Sequence, residues 1–168
     1  RIALSKQGLG KQTISINEAG VNIAKQAILR SDKQAFVAGS VGPIASLSDS
    51  LQDLKTEISH AELEYVFAEQ IDALASAGAD LILFETFGDL TELIIAVKTT
   101  RKNHPDLPIV AQLSTHAFEK EGSHPKEAAR RLAEAGATVI GVNCGSPEEV
   151  LALVKELKKF SKKPISAM

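Results

Sequence analysis

The single cysteine of the chain, Cys144, lies in the stretch TVIGVNCGSPEE (138–149), directly after an apolar run and directly before a helix-start signal. A thiolate there could ligate a metal, whereas a thiol that only packs behaves as a small hydrophobe, the commoner role for a lone cysteine. Glu85 is a second candidate, because it closes the apolar run LILF (81–84). A carboxylate in that place demands a cation, a metal or several donors, so it suits either simple capping or pairing at a sheet rim or recognition of an amine or of a metal-bound group. Ser114 ends another apolar run and offers a hydroxyl in a commonplace position. Gly39-Ser40-Val41-Gly42 permits close backbone approach but lacks the GxGxxG spacing of a phosphate loop. His60, His104, His116 and His124 form neither HxxxH nor HExxH. The stretch AFEKEGS between His116 and His124 reads as a mobile loop.

These residues must be positioned by strands. Continuous apolar runs suit strands buried on both faces of a parallel sheet, and five are expected: Phe36–Gly39, Leu81–Phe84, Ile109–Leu113, Val139–Val142 and Ile165–Ala167. Helices separate them. The first is expected over Glu18–Leu29, with Ser15 and Glu18 as a capping box. Others start at Ser59-x-x-Glu62, at Asp89-x-x-Glu92, at Pro125 and at Ser146-Pro147-Glu148-Glu149. Two segments are similar: SAGADLILFET (76–86) and EAGATVIGVNC (134–144) both pass from a helix end through Ala-Gly-Ala into a strand. Their glycines are natural helix C-caps.

Strand–helix alternation of this kind predicts an α/β fold with a parallel sheet. The pattern fits a complete flavodoxin-like domain, and it equally fits five-eighths of a (β/α)8 TIM barrel, which typically takes ~250 residues. The chain opens with Arg1–Lys11 feeding a helix and closes inside a strand. A barrel domain over 1–168, incomplete at both ends, is therefore one expectation. In either architecture the chemistry belongs at the carboxyl ends of the strands, where Ser40, Glu85, Ser114, Asn143 and Cys144 fall. The long connection over 42–58 is a candidate lid.

Composition narrows the function classes. The 168 residues are 44% hydrophobic and 24% charged with a net charge of −2, and the basic residues are spread along helices. A nucleic-acid surface would concentrate them in a stripe. No apolar run approaches the ~20 residues that span a bilayer. One cysteine cannot form an internal disulfide, which fits a cytoplasmic location.

GVNC after an apolar strand, AGADLILFETFGDLTELIIAVK upstream of it and AGSVGP further upstream together resemble the homocysteine S-methyltransferase family. The opening RIAL and closing PISAM also look like family segments, so the resemblance covers nearly the whole chain. Its most specific part is GVNC combined with ET-x-x-D-x-x-E. The family includes betaine-, S-methylmethionine- and cobalamin-dependent methionine-forming enzymes. The resemblance implies a (β/α)8 barrel of which this chain holds about the third to seventh strands. It also implies Zn²⁺ bound by three cysteines, with Cys144 as one and an adjacent pair, absent from this sequence, as the others. The fragment alone is then expected to be inactive. Glu85 would hold the homocysteine amino group, Asn143 would line the amino-acid site, and Ser114 would help shape the cavity. The implied partners are small molecules, homocysteine and a methyl donor, with methylcobalamin or methyltetrahydrofolate among the possible methyl sources. LSTH (113–116) is similar to bacterial versions fused to a methylenetetrahydrofolate reductase module.

The implied chemistry has a physical reason. A free thiol has a pKa near ~8.5 and is mostly protonated at neutral pH, and a thiol bound to Zn²⁺ is deprotonated outright.

Overall fold

A computed structural model describes residues 1–44, 58–119 and 124–168. The lid expected over 42–58 and the loop between His116 and His124 fall largely outside those residues. Five strands, β1 (Ala38–Val41), β2 (Leu81–Phe87), β3 (Ile109–Ser114), β4 (Val139–Asn143) and β5 (Ile165–Ala167), form one sheet. Every neighbouring pair is parallel, and the spatial order is the chain order, β1-β2-β3-β4-β5. A flavodoxin-like sheet reverses direction at a switch point so that helices cover both faces. Here nothing reverses, and right-handed crossovers then put the described helices that join the strands on one side. The flavodoxin reading is excluded, and the sheet is an arc of a (β/α)8 barrel.

Among the described residues the helices are α1 (Ile2–Lys6), α2 (Thr13–Ser31), α3 (His60–Ser76), α4 (Leu90–Asn103), α5 (Pro125–Ala135) and α6 (Pro147–Phe160). From α2 to α6 each packs on the next in chain order, which makes a single outer layer. Ile82, Phe84, Ile109, Ala111, Leu113, Ile140 and Val142 point from the sheet into that layer and are fully buried. Phe87 joins them, stacked edge-on against Phe84 at 5.8 Å and tilted against Phe67 of α3 at 6.0 Å. The middle helix α4 is buried along most of its length, whereas α2 buries only Thr13 and Val21, and α6 only Leu157. Burial thus falls off toward both ends of the arc.

The two similar segments fold by one device used twice. Gly78 and Gly136 take φ of +87° and +105°, a conformation glycine adopts without the Cβ penalty. Ala79 and Ala137 N–H then donate to the helix carbonyls of Leu74 and Leu132 at 3.0 Å each, closing the helix end. A cation from another helix covers each turn: Lys25 Nζ donates to Ala77 O, and Arg101 Nη2 to Gly136 O. Next, Asp80 and Thr138 each exchange two bonds with the start of the preceding strand, their N–H donating to Val37 O and Ile109 O. In return their side-chain oxygens accept from Val37 N (2.7 Å) and Ile109 N (3.0 Å). Ile82 and Ile140 N–H donate in turn to the carbonyls of Pro108 and Pro164, at the start of the following strand.

Helix starts follow the sequence at Ser59 and Ser146, both complete capping boxes, and at Pro125. The box expected at Ser15 does not form. The helix begins earlier, at Thr13, because the 3-10 turn Gly10–Gln12 runs straight into it and supplies the first carbonyls. Ser15 Oγ instead donates to Gln12 O. Asp89 caps α4, accepting from Thr91 and Glu92 N–H, but Glu92 turns inward and accepts from Ile44 N–H at 2.6 Å.

Candidate active site

Alternation along the strands puts Ser40, Glu85, Gln112, Ser114, Gly141, Asn143 and Ser166 on the face opposite the helices, the inner face of the barrel arc. Register confirms the grouping, since Ser114 is opposite Asn143, and Gln112, Gly141 and Ser166 form one row. In that row Gln112 Nε2 donates to Ser166 Oγ at 2.8 Å, crossing above Gly141. A Cβ on Gly141 would lie 2.5 Å from Ser166 O and 3.1 Å from Gln112 Cγ, so only glycine leaves room for that crossing.

Above this row is the carboxyl rim. Glu85 is half-buried, and Ser40 Oγ donates to its Oε1, which answers the requirement for a donor at the end of LILFE. Ser114 is 7% exposed and Asn143 5%. Cys144 is exposed here rather than packed in the core. Its side chain is available at the rim.

Two rim residues have a backbone that non-glycine residues seldom adopt: Thr86 at φ +64° and Cys144 at φ +58°. For a β-branched threonine this is a genuine outlier, of a kind that costs about 1–3 kcal/mol and persists only where the surroundings enforce it. They do. Thr86 N–H donates to Asn143 Oδ1 at 3.0 Å, and Asn143 Nδ2 donates to Thr86 Oγ1 at 3.1 Å. Beside it, Thr115 Oγ1 donates to Cys144 O at 3.3 Å, and Gly145 packs against the Thr115 side chain too closely for any Cβ. Thr86 and Cys144 are the equivalent last residues of the two similar segments. Neither Thr86 nor Thr115 carries a sequence signal of this role, because threonine is a poor left-handed residue and an ordinary strand-end one.

Among the described residues no three of His, Cys, Asp and Glu converge on one point. His116 is exposed beside Glu119, and His104 Nε2 is 2.7 Å from Asp72 on the helix side, away from the rim. Cys144 fits a zinc ligand by its donor chemistry and exposure, and it is one sulfur where a thiolate site needs several. No helix among the described residues is long and apolar enough to cross a membrane.

Comparisons with known proteins agree with this fold. The chain is similar to betaine–homocysteine S-methyltransferase 1 of Xenopus tropicalis, 33% identical over 146 residues, which are 86% of this chain and 34% of that protein. The Mus musculus enzyme of the same name is 30% identical over 145 residues, 86% of this chain and 33% of that one. The chain therefore spans about a third of the length of the curated relatives it matches. Among solved structures, the homocysteine methyltransferase MmuM of Escherichia coli superposes in its metallated form with a TM-score of 0.80, at 20% identity. That match covers 98% of this chain and 61% of MmuM. The oxidised form gives 0.81 at 20% identity over 96% and 59%. The family model described as homocysteine S-methyltransferase matches residues 1–168, and the chain belongs to that family.

Proposed function

We propose that the intact protein transfers a methyl group to the thiol of homocysteine, giving methionine, with Cys144 as one ligand of a zinc ion. The observation that carries this is the exposed Cys144 at the carboxyl rim of β4, held on the same rim as Glu85 in a chain that matches the family throughout. Zn²⁺, when bound, would keep the incoming thiol ionised at neutral pH, when a free thiol is mostly protonated. The two further sulfur ligands would come from outside these 168 residues.

The chain's own residues divide the rest of the task. Glu85 offers a carboxylate to the ammonium of the amino acid, and Ser40 fixes the direction of that carboxylate. Ser114 and Asn143, register partners beside Cys144, line the amino-acid end of the site. The relatives' names point to betaine as one donor, and S-methylmethionine, methylcobalamin and methyltetrahydrofolate belong in the same assay. A reducing, cytoplasmic setting suits a thiolate site of this kind.

The test is Cys144→Ser in the intact protein, scored for bound zinc and for methionine formed from homocysteine across that donor panel. Both are expected to fall to background. A serine variant that keeps stoichiometric zinc and full activity would sink the proposal.

A further inference from the structure

We propose that Asn143 is a positioning residue that sets the geometry between Glu85 and Cys144 by holding Thr86 in its left-handed conformation. The inference rests on the proposed function for its meaning, but its structural part stands on the geometry alone.

Regular alternation along β2 would place Glu85 and Phe87 on one face. Instead the register with β3 shifts between Phe84 and Phe87, and Phe87 pairs with Leu113 and is fully buried among the helices. Thr86 is the residue at which the strand makes this change, and its positive φ is the turn that does so. Glu85 therefore faces the barrel interior while both of its aromatic neighbours, Phe84 and Phe87, anchor the strand in the core. If Thr86 relaxed to a negative φ, Glu85 and Phe87 could not both keep their places.

What holds Thr86 there is one amide. A backbone N–H can only donate, so the group facing Thr86 N–H must be Oδ1, and this fixes which way round the Asn143 amide lies. Nδ2 then meets the threonine hydroxyl. The two bonds span from β4 to β2 across the end of β3, the strand between them. Asn143 precedes Cys144 and Thr86 follows Glu85, so the clamp joins the sulfur-bearing and carboxylate-bearing rim positions directly. With 5% exposure and both ends of its amide bonded to Thr86, Asn143 contributes shape to the site through its bulk and order through its amide.

The experiment is a cycle of Asn143→Ala and Thr86→Gly in the intact protein, with kcat and KM for homocysteine, melting temperature and amide exchange at residue 86. Asn143→Ala is expected to lower kcat/KM by about tenfold to a hundredfold, as loss of a supporting partner does. Glycine holds positive φ without support, so in the Thr86→Gly background the same substitution should cost no more than about threefold. If Asn143→Ala costs as much with glycine at 86 as with threonine, the amide acts on something other than Thr86 and the proposal is overturned. Asn143→Asp, which keeps the acceptor for the Thr86 N–H, should retain more activity than Asn143→Ala. Equal loss in both also counts against it.

Amide exchange and melting separate this proposal from the one it rests on. In metal-free wild type the Thr86 N–H should exchange slowly, and Asn143→Ala should release it. An unprotected Thr86 N–H in wild type overturns the clamp whatever the enzyme does. If wild type fails to methylate homocysteine with any donor, the proposed function falls. The clamp is then judged by exchange and by whether the melting-temperature loss on Asn143→Ala shrinks in the Thr86→Gly background.

Discussion

At the scale of single residues, Glu85 is the group proposed to bring charge into the site. Its carboxylate already has one partner, the Ser40 hydroxyl, and still has acceptor capacity for an ammonium. A hydrogen bond to a charged group is worth about 1.5–3 kcal/mol, so Glu85→Gln in the intact protein should raise the homocysteine KM by roughly ten- to a hundredfold. If the carboxylate only binds, kcat should change little. Ser40→Ala, which frees the carboxylate without removing it, should shift KM by only about fivefold, because the charge that receives the ammonium stays in place. Steady-state kinetics check both, and an unchanged KM in Glu85→Gln would remove Glu85 from amino-acid binding. Glu85 was visible in the sequence because a carboxylate after LILF is an anomaly. The proposal of Cys144 as a ligand rests on resemblance, since residue type alone favours packing. The left-handed Thr86 was not visible at all: its conformation is imposed by Asn143 from two strands away, and no local pattern encodes a contact at that distance.

At the scale of elements, the chain was most readable where local chemistry decides the outcome. The strands begin and end within a few residues of their expected limits, the Ala-Gly-Ala turns cap helices, and Ser59 and Ser146 close capping boxes. The errors occurred where a neighbour overrides the local signal. The turn at Gly10–Gln12 made the Ser15 cap unnecessary. The two boxes that did form carry a pH signature. The backbone N–H and hydroxyl of Ser59 hold the Glu62 carboxyl below its ordinary 4.5, and those of Ser146 do the same for Glu149. Near that pH the unfolded chain binds more protons than the folded one, so the contribution of both caps is present above 4.5 and is lost as pH falls through the depressed folded values. The double variant Glu62→Gln, Glu149→Gln should therefore lose less stability than wild type between about pH 5 and about pH 3. Urea midpoints across that range measure it, and parallel wild-type and variant curves would show that the caps are not coupled to protonation.

At the scale of the whole molecule, β1 and β5 are the open edges of the sheet among the described residues, and the end helices are thinly buried. Ile16, Gly20, Ile23 and Ala27 follow one another at helical spacing on α2 and are all exposed, Ile23 at 69%. An apolar stripe of this kind beside an unpaired strand edge is where a barrel would continue, and in isolation it invites association. The match to MmuM, which uses 61% of that chain, is consistent with further barrel strands and helices seated there in the intact protein. The expectation is therefore opposite in the two contexts. In the 168-residue chain alone, Ile23→Lys should reduce self-association at little cost to the melting temperature, because the side chain touches mainly water. In the intact protein the same substitution should bury a charge against an apolar neighbour and lower the melting temperature clearly. Light scattering on the short chain and thermal melts on both give the comparison. An intact protein indifferent to a lysine at 23 would mean that α2 keeps its outer stripe in solvent and that the barrel does not continue against it.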